Sequence, residues 1–370
     1  MKATCERDKL LHAFQMAASV AAPVRSPKPI LRNIKLDIAQ DRATLLATDL
    51  EVGIRIEVAG FEVEAPGTVL LPIDRFGSIL RESSDEKLLV EIDGARTLVR
   101  GERSEFHLPT ENPDEFPEVA SFTEEKYHKL SARLFRELVR RTIFATDNES
   151  SRYALGGVLL ELSEDQVIGV GTDGRRLARQ QGPAKAVGGH ETRDRTIVPT
   201  RAMQLLERAL ADNEGEIDLA ARENDLLVRS ERATVYTRLV EGRFPKWRDV
   251  FPRMEQMTRI ELTVGPFHSA VRQAAIVTDE NHRGVDFTFA DGKVVLLARS
   301  AETGESRVEM PIAYEGSELG VMLDPRYLSD FLKVLDQDTT FTLSVRDAES
   351  AVVATTADGY SYVIMPLARE

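Results

Sequence analysis

The spacing of apolar residues along the chain predicts helices and strands in an order that recurs three times. Residues 7–22 carry apolar side chains at three- and four-residue steps, which is typical of an amphipathic helix. Alternating apolar positions then predict strands, and a short helix follows Pro72 at residues 73–81. The equivalent helices are predicted at residues 131–146 and 200–211, and again at residues 266–278 and 325–335.

The clearest strand signal is a hairpin at residues 170–178, where Thr172-Asp173-Gly174 forms a tight turn between a strand and a return strand. Asp and Gly tolerate the turn conformations that other residues resist. Ala47-Thr48-Asp49-Leu50 echoes this hairpin 124 residues earlier, and Arg299-Ser300-Ala301 echoes it more faintly 127 residues later. The regular spacing indicates one unit used three times.

We therefore predict an α+β protein of three like domains, at residues 1–122, 123–253 and 254–370. Each domain has the order helix, strands, helix, strands, and the size of a typical single domain. The joints are predicted in the polar stretches 123–129 and 254–259.

Composition favours a cytoplasmic protein with a substantial core. Hydrophobic residues make up 42% of the 370 residues, and no apolar run approaches the roughly 18–20 residues of a membrane span. The N-terminus meets charge at once and has no signal-peptide pattern. The single cysteine, Cys5, excludes an internal disulfide framework and fits a reducing compartment.

The charge is distributed unevenly between the predicted helices and the rest of the chain. The net charge is −13, yet the six predicted helices together carry +8, which leaves −21 for the strands and loops. Residues 131–146 alone carry a net +3, because one glutamate, Glu137, offsets part of the charge of four arginines, Arg133, Arg136, Arg140 and Arg141. If these helices share one face, that face attracts a polyanion through phosphate contacts without base readout. The alternative is a set of solvated helix faces.

Candidate catalytic and metal motifs are weak. Residues 169–174 satisfy Gly-x-Gly-x-x-Gly, with Asp194 about 20 residues further on. A dinucleotide fingerprint needs a helix directly after the glycines. Here only seven residues, 175–181, separate Gly174 from Gly182-Pro183, which is too short for that helix. The six histidines are scattered without metal-ligand spacing. We therefore expect no catalytic residues, no metal and no cofactor.

Several motifs together resemble the bacterial β sliding clamps, the processivity subunits of the replicative DNA polymerase. The resemblance runs along nearly the whole chain. It depends on Thr172 to Ala178 (TDGRRLA), Leu239 to Pro245 (LVEGRFP), Arg283-Gly284-Val285 and Tyr362 to Leu367 (YVIMPL), with Pro29-Ile30-Leu31 after Arg25.

The resemblance implies three tandem clamp domains in a chain that closes with a second copy as a head-to-tail dimeric ring. Helices would line the central hole and antiparallel sheets would form the outside. Such a ring encircles duplex DNA without sequence preference and tethers other proteins, which raises their effective concentration at the template. The implied partners are a clamp loader, polymerase subunits and repair proteins that carry short clamp-binding peptides.

The resemblance also implies three sets of site residues. The peptide-binding cleft comprises Leu155, Thr172, Gly174, Arg175, Arg176, Leu177, Pro245, Val250, Tyr327, Val363, Ile364, Met365, Pro366 and Leu367. The DNA contacts are Arg25, Arg140, Arg141 and Tyr153, and the dimer contacts are Phe106, Leu108, Ile276 and Val277. The chain departs from the family pattern at Arg175, at His282 and at Ala368-Arg369-Glu370.

Two other functions stay open at this point. One is a nucleotide-dependent enzyme that uses the turn at residues 169–174. The other is a three-domain scaffold that does not contact DNA.

Overall fold

The structure is a computed structural model that describes residues 1–21, 28–93, 96–109, 111–147, 154–192, 196–252, 254–280 and 282–368. Among these residues the α-helices are α1 (Arg7–Ala18), α2 (Ile73–Glu82), α3 (Ala132–Thr142), α4 (Thr200–Ala209), α5 (Val264–Ala274) and α6 (Pro325–Lys333). All six lie where the apolar spacing predicts helices, and α3 and α5 each continue into a short 3-10 turn.

The strands recur in three similar sets along the chain. The first set is β1 (Lys2–Glu6), β2 (Asn33–Ile38), β3 (Ala43–Thr48), β4 (Val52–Val58), β5 (Phe61–Ala65), β6 (Gly67–Pro72), β7 (Lys87–Asp93), β8 (Arg96–Arg100) and β9 (Glu105–Pro109). The second is β10 (Tyr127–Ser131), β11 (Gly157–Ser163), β12 (Gln166–Thr172), β13 (Arg176–Pro183), β14 (Lys185–Val187), β15 (Ile197–Pro199), β16 (Glu216–Ala221), β17 (Asp225–Arg229) and β18 (Ala233–Arg238). The third is β19 (Thr258–Thr263), β20 (Val285–Ala290), β21 (Lys293–Ser300), β22 (Gly304–Pro311), β23 (Leu319–Leu323), β24 (Thr340–Val345), β25 (Val352–Thr355) and β26 (Tyr360–Ile364).

The chain forms two compact units. The first unit comprises Met1–Arg136, Ala184–Glu191 and Arg201–Leu239. It holds a five-stranded sheet, β5-β1-β7-β8-β9, and a nine-stranded sheet, β14-β10-β16-β17-β18-β4-β3-β2-β6. The second unit comprises Glu137–Pro183, Thr192–Thr200 and Val240–Glu370. It holds an eight-stranded sheet, β15-β11-β12-β13-β26-β25-β24-β19, and a four-stranded sheet, β22-β21-β20-β23.

Each large sheet joins strands from two of the predicted domains. In the first unit β4 pairs antiparallel with β18, and in the second unit β13 pairs antiparallel with β26. The compact units therefore divide the chain differently from the three predicted domains, because strands of neighbouring domains share a sheet.

The polar stretches predicted as joints are partly strands. The stretch 123–129 runs into β10, which buries His128 and Leu130, and the stretch 254–259 runs into β19, which buries Ile260 and Leu262. The alternation is short and its outward positions are polar or charged, apart from Tyr127, so it lacks the apolar run that marks a buried strand. The first strand after α1, β2, begins at Asn33 and follows a 3-10 turn at Pro29–Arg32.

The cores of both units consist of aromatic and aliphatic side chains on facing elements. In the first unit Phe14 of α1 packs on Phe76 of α2, with ring centroids 5.1 Å apart. In the second unit Phe331 of α6 stacks against Tyr362, with centroids 5.3 Å apart and planes 10° apart. Burying one such side chain contributes about 1.5–3 kcal/mol, so the inner faces of the amphipathic helices hold the sheets in place.

Candidate functional site

The hairpin that joins β12 to β13 is fixed by its own side chains. The Thr172 hydroxyl donates to the Arg176 carbonyl oxygen over 2.7 Å and accepts from the Gly174 N–H at 3.1 Å. Oδ1 of Asp173 accepts from the N–H groups of Arg175 and Arg176, each at 2.9 Å. Gly174 has φ +85°, in the left-handed region where glycine carries no Cβ penalty. The turn therefore presents Gly174 and Arg175 to solvent in a defined geometry.

Arg176 ties this hairpin to neighbouring parts of the second unit. Its guanidinium donates to Asp173 Oδ2 at 3.0 Å, to Asp330 Oδ2 on α6 at 2.6 Å and to the Phe144 carbonyl oxygen at 2.8 Å. The same group lies 4.5 Å from the centroid of the Tyr327 ring. Its donors are directed at protein groups, so Arg176 acts here as a wall of the candidate cleft that positions Tyr327.

The other candidate cleft residues divide by exposure. Leu155, Thr172, Leu177, Val363 and Ile364 are buried. Val250 and Met365 are 40% and 44% exposed, which is unusual for large apolar side chains. Pro245, Tyr327, Pro366 and Leu367 are half-buried. The arrangement offers an apolar floor with exposed apolar and cationic groups at its rim, which suits a short peptide with apolar anchors.

The segment after β26 is held along this rim by backbone bonds. The Met365 N–H donates to the Arg175 carbonyl oxygen at 2.9 Å, and the Leu367 N–H donates to the Met322 carbonyl oxygen at 2.8 Å. A Cβ placed on Gly284 would lie 2.5 Å from Met322 Sδ. The glycine of the Arg283-Gly284-Val285 motif therefore makes room for the strand that anchors Leu367.

The departures from the family pattern fall partly inside the described structure. Arg175 is exposed on the hairpin, and the His282 N–H donates to Asp279 Oδ1 at 2.7 Å. Ala368 is exposed, whereas Arg369 and Glu370 lie outside the described residues.

Sequence reasoning missed several side chains of this region. Trp247 is buried below the rim, and its indole N–H donates to Glu161 Oε1 at 3.0 Å. Arg248 donates to both oxygens of the same carboxylate, at 2.9 and 2.6 Å, and lies over the Trp247 ring. The available signal was that the sole tryptophan of the chain follows Phe244-Pro245 by two residues.

The predicted DNA contacts are placed unequally. Arg140 is exposed, whereas Arg25 and Tyr153 lie outside the described residues. Arg141 is buried, donates to Gln180 Oε1 at 2.8 Å and to Asp358 Oδ2 at 2.7 Å, and lies over the Tyr360 ring. This geometry does not favour a phosphate contact by Arg141, because its guanidinium is turned into the protein.

A second arginine of α3 also has a role inside the protein. Arg136 donates to the carbonyl oxygens of Leu210, Ala211 and Asn213, the last at 2.6 Å. These carbonyls follow the C-terminal end of α4, where a cation offsets the helix dipole. The charge of +3 on α3 therefore overstates what a polyanion would meet, and Arg133 and Arg140 are the exposed arginines of this helix.

The four predicted dimer residues lie on two elements of different units. On β9, Phe106 is 39% exposed and Leu108 is buried. They border a surface depression of about 700 Å³ whose other walls include Ile79 of α2. Ile276 is 77% exposed, the highest value among the large apolar side chains in the described part of the chain, and Val277 packs partly on the core.

The structure disfavours the dinucleotide reading. Residues 169–172 belong to β12, and β13 follows the turn where the fingerprint requires a helix. Asp194 lies outside the described residues. Within the described part of the chain, no three histidine, cysteine, aspartate or glutamate side chains gather as a metal site. None of the described helices is long and apolar enough to cross a membrane.

Comparison with known families covers almost the whole chain. Residues 1–120 match the DNA polymerase III beta subunit N-terminal domain, residues 129–246 match its central domain, and residues 248–368 match its C-terminal domain.

Individual relatives agree over their full length. The beta sliding clamp of Pseudomonas putida is 31% identical and that of Vibrio cholerae 30%, and each alignment spans 99% of this chain and 100% of the relative. A sliding clamp from Pseudomonas aeruginosa solved bound to griselimycin superposes with a TM-score of 0.93 at 26% identity, covering 100% of both chains.

The repeated sheets, the hairpin corner and the full-length matches lead to one conclusion. The chain belongs to the DNA polymerase III beta subunit family, the beta sliding clamps, and is a three-domain processivity factor of DNA replication.

Proposed function

We propose that two copies of this chain close head to tail into a ring that encircles duplex DNA and slides without reading its sequence. The three domains of such a ring would be residues 1–122, 123–253 and 254–370. The main support for the proposal is that two sheet edges, β9 and β22, have no partner strand within the described chain, whereas the equivalent edges of the other repeats pair with each other.

The leftover edges follow from the strand order. Each predicted domain contributes two half-sheets, and each half-sheet has one edge strand that matters here. These edge strands are β9 and β4 in the first domain, β18 and β13 in the second, and β26 and β22 in the third. Two internal joints use four of these ends, since β4 pairs with β18 and β13 with β26. Among the described residues, β9 and β22 are terminal strands of their sheets. A second copy completes the pattern when its β22 pairs with β9 and its β9 with β22.

Exposed apolar residues flank both edges. Phe106 projects from β9, and Ile276 lies in the turn after α5, the helix that packs on β22. The interfaces of permanent complexes are more apolar than those of transient complexes. Phe106 and Leu108 of one copy would therefore contact Ile276 and Val277 of the other.

Within the ring, the cleft beside residues 172–177 would take the short peptides of polymerase subunits and repair proteins, and a clamp loader would open the ring. No step of this function needs chemistry from the chain, so we propose a non-catalytic accessory subunit without a cofactor. We place it in the cytoplasm, with the replicating chromosome.

Sedimentation equilibrium of the wild type and of Ile276→Asp tests ring closure. We expect a wild-type dimer, and a monomer for the variant, because an aspartate would have to be desolvated in an apolar contact at both joints. Arg283→Ala serves as the control, because Arg283 is an exposed residue of the same unit that is not among the predicted dimer contacts, and this variant should remain a dimer. A dimer of unchanged strength in Ile276→Asp would contradict this interface.

A further inference from the structure

The two leftover edges differ chemically from the two internal joints. We propose that the joint between copies is held in register and made specific by a pair of opposite charges, Glu105 opposite Arg307, next to a polar pair, His107 opposite Glu305, and that the internal joints lack both. This inference rests on the proposed head-to-tail dimer and names the residues that decide which edge pairs with which.

The register follows from the internal repeats. One alignment of the three domains starts at the strands that precede α2, α4 and α6 and follows the residue pairing from strand to strand until β4, β13 and β22. In this alignment Ile54, Ala178 and Ser306 occupy equivalent positions. A second alignment starts at the last residues of β1, β10 and β19 and follows the residue pairing until β9, β18 and β26. In this alignment Phe106, Val235 and Tyr362 occupy equivalent positions. At the internal joints, Val235 faces Ile54 and Tyr362 faces Ala178. By the same rule Phe106 of one copy faces Ser306 of its partner.

The burial pattern supports this register. On β4 the core-facing residues are Ile54 and Ile56, and on β22 the alternate residues Ser306 and Val308 are the half-buried ones. Because side chains alternate between faces, the neighbours of Ser306 point outward. One step along each strand therefore brings Arg307 opposite Glu105 and Glu305 opposite His107.

The equivalent outward pairs inside the chain carry no opposite charges. Arg55 faces Thr234 at the first internal joint, and Arg179 faces Ser361 at the second. The positions equivalent to Glu305 and His107 are occupied by Gly53 with Tyr236, and by Leu177 with Val363. The arginine is thus common to all three joints, and a carboxylate faces it only at the joint between copies.

The charged groups are placed where they can pair across a joint. Glu105 now accepts from Arg100 Nε at 2.9 Å, and Arg307 donates to Glu309 Oε1 at 2.6 Å. Arg299 Nε lies 3.1 Å from Glu305 Oε2. About half of the Glu105, Arg307 and Glu305 side chains is exposed, so re-pairing needs no buried charge to move. Opposite charges directly across an antiparallel pair stabilise it, and like charges destabilise it.

The competing explanation is that charges on β9 and β22 only protect exposed edges from aggregation. The two explanations differ in what a charge reversal does. Glu105→Arg places arginine opposite arginine at both joints of the ring, and Arg307→Glu places glutamate opposite glutamate at both. A mixed dimer of the two variants, however, places opposite charges together at both joints.

The experiment is sedimentation equilibrium of the full-length chain at about 0.1 M salt, first wild type, then each variant, then their equimolar mixture. We expect each single reversal to weaken the dimer roughly 10- to 50-fold, because about 1 kcal/mol is lost at each of two joints. The mixture should regain an affinity close to the wild type. The double variant Glu105→Arg with Arg307→Glu should also dimerise with itself.

Three outcomes would overturn the inference, and they are distinguishable. Unchanged dimers in both single variants would mean that the charges only protect the edges. Weak single variants whose mixture stays weak would mean that the substitutions damage the edge rather than reverse a pair. A monomeric wild type would overturn the dimer itself, and it is recognised before any variant is made.

Discussion

Two hairpin corners of this chain share a backbone frame and differ in what covers them. The first corner clusters Ile30, Leu46, Leu70, Phe116 and Val119. The second corner has Ala154, Val170, Ile197, Phe244 and Trp247 at the positions 124–128 residues further on. The turns repeat atom for atom, since the Thr48 hydroxyl donates to the Val52 carbonyl oxygen at 2.7 Å, as Thr172 does to Arg176.

The difference begins at one position. A Cβ placed on Gly53 would lie 3.0 Å from Cγ1 of Val119, so the first corner is covered directly and leaves little room for a side chain. The equivalent residue of the second corner is Leu177, and the covering residue is the larger Trp247. The second corner therefore spreads into a wider apolar cluster that includes Phe251 and Met254, and Val250, next to Phe251 in the chain, is exposed.

The edges of the two corners also differ: side chains pair across the first corner, whereas those of the second corner are exposed. At the first corner the Arg238 N–H donates to the Glu51 carbonyl oxygen, and the two side chains form an ion pair at 3.6 Å. At the second corner the same backbone bond joins Met365 to Arg175, and both side chains are exposed. One frame can thus give a closed corner or a candidate peptide cleft, depending on a few side chains.

The largest expected contrast is in stability. Trp247→Ala should lower the free energy of unfolding by about 3–5 kcal/mol, because it leaves a cavity under the second corner. Val119→Ala at the first corner should cost about 1–2 kcal/mol, since it removes two methyl groups. Urea unfolding followed by far-UV circular dichroism measures both. Equal losses would mean that the two corners are covered alike.

The next contrast is in peptide binding. Val250→Asp should weaken binding of a labelled clamp-binding peptide about tenfold or more, because a charge replaces an exposed apolar contact at the rim. Leu50→Asp, a change of similar exposure at the first corner, is the control and should leave binding unchanged. Fluorescence anisotropy measures both. Equal affinity for the wild type and Val250→Asp would remove this residue from the cleft.

The smallest contrast concerns the turn itself. Gly174 and Leu50 occupy equivalent positions with φ +85° and +80°. Gly174→Ala should cost about 1 kcal/mol, because a Cβ is unfavourable in the left-handed region. Leu50→Asn should instead stabilise by about 0.5 kcal/mol, since asparagine tolerates that region. Opposite shifts of the thermal midpoint are expected, and shifts of the same sign would contradict the equivalence of the turns.

The sequence predicted what depends on local pattern. The Thr172-Asp173-Gly174 hairpin, its echo at Thr48-Asp49 and all six helices follow from turn chemistry and apolar spacing, which act over a few residues. The strand β22 is hard to predict from the sequence, because its outward positions are glutamate and arginine and its inward ones are only half-buried.

The roles of single arginines could not be predicted, because they depend on partners far along the chain. Arg140 and Arg141 are neighbours on α3, yet one is exposed and the other pairs with Asp358, 217 residues away. Arg176 is fixed by Asp330, 154 residues away. Charge and spacing in a sequence do not reveal which of two adjacent cations is turned into the protein.

The most direct test of the proposed ring is its retention on DNA. The protein would be loaded on a circular plasmid with its clamp loader and ATP, separated from free protein, and the plasmid then cut once. Because a closed ring is held by topology, we predict retention on the circle and release from the linear form. Equal loss from both forms, with loader activity confirmed, would contradict a ring that encloses DNA.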